Sequence, residues 1–239
     1  RLLVRATIPI KLRNSAPTGS VMRPVDTELT SRRVLSVDVE TGGTVVLFEG
    51  QRNRMRATLD LGRVVDILPK EPDFVLMTAW ERDGVLGLHR VNINDGSAQR
   101  IERGNSGTFG WETQDGVAVL RHDINARGSM ETLYARAPGE TEWKFVRRTR
   151  VVDAPDFSWI GDTERPGVVL VTARIGDEDV EAVREMDVRN LTFGPPMAAR
   201  AGRDVLYGLK DSAGLYIGAA YYGDRLEYDF TEPALAAHH

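Results

Sequence analysis

Short runs in which apolar and polar residues alternate recur along almost the whole chain. Val75, Met77 and Ala79 alternate with Leu76 and Thr78, and Val117, Val119, Val168, Leu170 and Thr172 sit in similar runs of five to seven residues. Gly, Pro, Asp and Asn punctuate them. Side chains on a strand change face at every step, so this period of two predicts β-strands. Few windows longer than ten residues carry a period of 3.6. The stretch "DEDVEAVREMDV" (177–188) has carboxylates ahead of an arginine, as a helix would, but its neighbours favour two strand segments.

The strands repeat as a unit. Hairpins begin at residues 35 ("LSVDVETGGTVVLFEG"), 89 ("HRVNINDGSAQRIERG"), 134 ("YARAPGETEWKFVRR") and 184 ("REMDVRNLTFGPPMA"). Two further strands precede each of the last three. Four strands in about 45–50 residues is the signature of a β-propeller blade, a sheet with two apolar faces that are buried only between neighbouring blades. The predicted organisation is all-β and a single propeller portion. Residues 1–62 form a partial first blade with a polar excursion at 10–33, read as a loop. Complete blades follow at 63–106, 107–155 and 156–202, and a partial one at 203–239. A cut through a blade exposes sheet edges, so the propeller is expected to be incomplete within this sequence.

Composition narrows the function. The 239 residues are 41% hydrophobic and 28% charged, with a net charge of −4. That offers no overall electrostatic footprint for nucleic acid, and "RRTR" (147–150) and "QRNRMR" (51–56) read as solvated faces. No apolar run approaches the roughly 18 residues of a membrane span. The absence of cysteine excludes thiol nucleophiles, disulfides and zinc–thiolate sites. The chain begins with Arg1, and its compartment stays open.

From about residue 64 onward the wording resembles the N-terminal propeller of bacterial prolyl oligopeptidase-family serine peptidases. "ILPKEPDFVLMTAW", "GLHRVNINDGSAQRIERGNSGTFGW", "VLRHDINARG", "LYARAPGETEWKFVRR", "FSWIGDTERPGVVLVTAR" and "YDFTEPALAAH" carry the resemblance, in order and spacing, over about three quarters of the chain. The lasso-peptide isopeptidases are a branch with similar wording. The resemblance implies a propeller that caps a C-terminal α/β-hydrolase domain and filters peptide substrates by size. It also implies a Ser–Asp–His triad with its serine on a G-x-S-x-G elbow. That elbow is absent here: "GNSGTFG" (104–110) has the wrong spacing and no helix to follow. No catalytic residue, cofactor or metal ligand is therefore assigned to this chain. The partners expected are the hydrolase domain and a peptide. The alternative is a stand-alone propeller that binds a ligand or protein.

Individual residues were weighed on the same footing. His89 is expected at a strand start, on the surface or an edge. His122 adjoins Asp123, but adjacent strand residues point to opposite faces, so the two make a poor relay. Trp80, Trp111, Trp143 and Trp159 suit packing between blades. The acidic "DEDVE" lacks calcium-loop spacing. In a meander blade the second-to-third-strand loops and the blade-to-blade links emerge on one face. That face collects "ERDG", "RHDINARG", "IGDED", "YYGDR", "ERGNSG" and "RVVDAPD". Arg121, Asp123, Arg127, Arg150 and Asp153 are the candidate contacts there for substrate or a second domain.

Overall fold

The structure is a computed structural model. It describes all residues except 14–25, 52, 56–59, 62, 154–155, 212–213 and 238–239, and it leaves the side chains at 10–13, 26–28 and 61 undescribed. The chain divides into two compact units, Arg1–Thr108 and Phe109–His239.

The first unit contains two sheets. In one, β1 (Leu2–Arg13) and β2 (Asp26–Val37) pair antiparallel from Leu2↔Val37 to Arg13↔Asp26. β3 (Thr44–Val46) continues the meander, and β4 (Asp60–Leu61) pairs β2 in parallel. The turn into β3 is fixed by Asp38, whose Oδ1 accepts the amides of Glu40 and Thr41 at 3.0 Å each. The second sheet is the four-stranded meander β5 (Arg63–Asp66), β6 (Phe74–Trp80), β7 (Leu86–Asn92) and β8 (Ala98–Arg103). Phe48, Val34, Met77 and Val91 fill the core that joins the two sheets. Gly96, in the β7–β8 turn, has φ +73°, and a Cβ there would lie 2.8 Å from the Val46 carbonyl oxygen. Glycine thus serves both the turn and the close approach.

Within the polar excursion at 10–33, the described backbone is strand, not loop: Lys11 pairs Glu28 and Pro9 pairs Thr30. The hairpin is held by backbone pairing, and β1 stays largely exposed, with Leu2 and Ile8 open to solvent.

The second unit contains three sheets in chain order. The first runs β9 (Thr108–Gln114), β10 (Val117–Ile124), β11 (Met130–Ala135) and β12 (Lys144–Arg150). The next is β13 (Phe157–Asp162), β14 (Val168–Ala173), β15 (Ala182–Asp187) and β16 (Thr192–Phe193). The last is β17 (Val205–Lys210), β18 (Tyr216–Tyr222) and β19 (Leu226–Phe230), followed by the short helix α1 (Pro233–Ala237). All are antiparallel meanders. Val119, Leu133, Val169, Val171 and Met186 join the first two sheets; Ile160, Val205, Ala219 and Tyr221 join the last two. Each such side chain contributes about 1.5–3 kcal/mol when fully buried, so sheet-on-sheet stacking supplies much of the stability. The stretch 177–188 resolves into a loop and β15, not a helix.

The fold class is therefore all-β, built of propeller blades: three complete four-stranded meanders, with a partial blade before and after them.

Candidate functional site

Backbone hydrogen bonds gather the loops of the second unit at one end. The Val151 amide donates to the Ser129 carbonyl at 3.0 Å, and the Arg174 amide to the Asp156 carbonyl at 3.2 Å. The Val205 amide donates to the Glu181 carbonyl at 3.3 Å, and Arg174 pairs with Asp204 at 2.9 Å. The β10–β11 hairpin, the β12–β13 link (151–156), the β14–β15 loop and the link into β17 thus meet. These are three of the six loops anticipated from the meander, "RHDINARG", "RVVDAPD" and "IGDED".

At that end a cavity of about 270 Å³ opens between the β9–β12 and β13–β16 sheets. Leu133, Phe157 and Val151 supply its apolar wall. His122, Glu131, Arg147, Thr149, Arg150, Asp153 and Asp156 supply the polar one. Strand parity explains the grouping. His122 pairs with Leu133, which pairs with Arg147, so all three lie in one row across the sheet and share a face.

The inner charges are paired. His122 Nδ1 donates to Glu131 Oε1 at 2.8 Å, a bond that lowers the glutamate's pKa from its ordinary 4.5. The Arg147 guanidinium reaches Thr149 Oγ1 through Nε (3.1 Å) and Nη2 (2.8 Å) and forms an ion pair with Asp156. Burial lowers the Arg147 pKa, while Glu181 and Glu131 act to raise it. Glu181 is itself buried, and loss of solvent raises its pKa, a change partly offset by a bond to Thr172. His122 Nε2 is sealed from solvent without a hydrogen-bond partner, 3.9 Å from Glu112 Oε1. The ring is therefore oriented but not placed to take a proton from a bound molecule.

The five candidate residues separate. Arg150 and Asp153 line the cavity. Arg121 and Asp123 lie on the other face of the same sheet. They form a two-pronged pair (Nε–Oδ1 3.1 Å, Nη2–Oδ2 3.0 Å) with the guanidinium over the Tyr134 and Trp143 rings. Arg127 is exposed in the β10–β11 turn. Glu131, Arg147 and Asp156 were missed. The register of the β10–β11 hairpin was the available signal for Glu131, since it sets Glu131 diagonal to His122.

In the first unit His89 corrects its expectation. It lies mid-strand in β7 and is 2% exposed, with Nε2 3.3 Å from Glu81 Oε1 and the ring edge-on to Phe48. Of the tryptophans, Trp111 is buried and Trp159 packs against the core, while Trp143 lies beneath Arg121 and Arg136. Among the described residues no three metal-ligating side chains cluster, and no helix is long and apolar enough to cross a membrane.

The chain matches no protein-family model and no curated protein. Among solved structures it is similar to an uncharacterised protein from Listeria monocytogenes EGD-e, at 17% identity and a TM-score of 0.41 over 70% of this chain; it spans 61% of that protein. It is also similar to the β-propeller domain of the Trilobed protease from Pyrococcus furiosus, described as an open velcro topology. That match is 6% identical with a TM-score of 0.41, and covers 95% of this chain and 78% of that one.

Proposed function

We propose that this chain is the substrate-gating propeller region of a prolyl oligopeptidase-like serine peptidase, whose catalytic α/β-hydrolase domain lies outside residues 1–239. The observation that carries the reading is the resemblance of wording from residue 64 onward, in three units that fold as four-stranded meanders and a last one of three strands. Two further features support it. The charged loops of 109–239 gather at one end, as a surface facing substrate or a second domain requires. The two described histidines are each engaged by a glutamate, His89 by Glu81 and His122 by Glu131.

In this role the propeller does no bond chemistry. It admits peptides to the hydrolase and excludes folded proteins. Compact isopeptide-linked lasso peptides are the substrate class suggested by the branch resemblance, and they would need a wide or open mouth. The test is hydrolysis by the full gene product of a short peptide, free and embedded in a folded protein. Cleavage of the free peptide alone is expected. No hydrolysis of either overturns the reading in favour of a stand-alone binding propeller, and equal cleavage of both removes the gate.

A further inference from the structure

The cavity beside β12 has a charge arrangement that the gating role does not use. Its inner polar groups are bonded to one another, His122 to Glu131 and Arg147 to Asp156. At its rim stand Arg150 and Asp153, both exposed, and among the described residues neither forms an ion pair. They occupy one turn, in which the Asp153 amide donates to the Arg150 carbonyl at 3.0 Å. One guanidinium and one carboxylate thus remain to meet a ligand.

A ligand that satisfies both carries both signs. A guanidinium binds a carboxylate through charge-assisted hydrogen bonds, and an aspartate does the same for an ammonium. Leu133, Val151 and Phe157 supply the apolar wall of the same cavity. The volume of about 270 Å³ equals about nine waters at about 30 Å³ each, just below the range of drug-sized pockets. It suits one or two amino-acid residues and is too small for a longer peptide.

We propose that this cavity binds a small zwitterion with an apolar side chain, a free amino acid or a dipeptide. The carboxylate meets Arg150, the ammonium meets Asp153, and the side chain lies against Leu133, Val151 and Phe157. The site needs no hydrolase and stands whether or not the peptidase reading holds.

The test is calorimetric titration of the 239-residue chain with L-leucine and L-leucyl-L-leucine, beside leucinamide and N-acetylleucine, which each lack one charge. Saturable binding of at least one zwitterion is expected, with both one-charge analogues weaker by about tenfold or more. The tighter of leucine and dileucine identifies the source. Arg150→Gln should abolish the preference for leucine over leucinamide, and Asp153→Asn the preference over N-acetylleucine. Both residues are exposed, so unchanged melting temperatures are expected. Absence of saturable binding by either zwitterion, equal binding of the analogues, or full binding by both variants overturns the proposal. Peptide hydrolysis by the full gene product is read separately, so failure here leaves the gating role intact.

Discussion

His89 and His122 each bond to a glutamate through one ring nitrogen and leave the other sealed without a partner, but they sit in different surroundings. Each lies within a strand of a four-stranded blade, and each ring bonds to a glutamate. His89 is sealed between sheets against Phe48, and its Nδ1 has no partner. His122 lines a cavity, and its glutamate side chain is 39% exposed. A histidine–carboxylate pair in a core is structural, because the burial that holds it also excludes a ligand. The same pair at a blade end leaves room for one.

The sharpest way to break this contrast is Gly87→Ala. The new Cβ would lie 2.6 Å from His89 Cε1 and 2.8 Å from Glu81 Oε1, with both groups held by each other. A loss of about 2–3 kcal/mol is expected, at the upper end for overpacking, read as a drop in the melting temperature of on the order of 10 °C. A drop of only a degree or two would mean that the His89 ring is free to move. Glu81→Ala comes next, because it leaves His89 Nε2 buried and unpaired; the expected cost is about 1–3 kcal/mol by chemical denaturation.

A pH titration tests the burial of His89 directly. Burial lowers the His89 pKa below its ordinary 6.5, against the raising effect of Glu81. The unfolded chain then takes up a proton at a higher pH than the folded one. Stability is full above about pH 6.5 and falls as the pH drops towards the folded value. His89→Gln should remove that slope. A slope that persists in His89→Gln would contradict the assignment. The smallest effect is expected for Glu131→Gln at the cavity, under about 1 kcal/mol for a partly exposed pair, with the fold intact by circular dichroism.

Much of the fold was legible because turn chemistry and strand alternation act locally. "NINDGS" announces its hairpin through Asn92, Asp95 and Gly96, and the structure uses all three. Strand parity also separated His122 from Asp123 correctly. The hairpin around 10–33 was hidden because most described side chains of β1 are exposed, so few apolar positions mark an alternation there. His89 was misplaced because its strand begins at Leu86, three residues earlier than expected. Of the cavity's lining residues, Arg150 and Asp153 are the two named as candidates from the sequence. Arg147 was not: its place in the row depends on a register shift between Leu133 and Tyr134 that no local pattern encodes. Asp156 joins through its ion pair with Arg147, a contact between β12 and the link into β13.

The most direct test of the central reading is treatment of the full natural gene product with a fluorophosphonate probe, read by intact mass. The gating account predicts a product well above 26.5 kDa that takes one covalent adduct, on a serine outside residues 1–239. A product of that mass alone, with no adduct, would contradict it and leave a binding propeller.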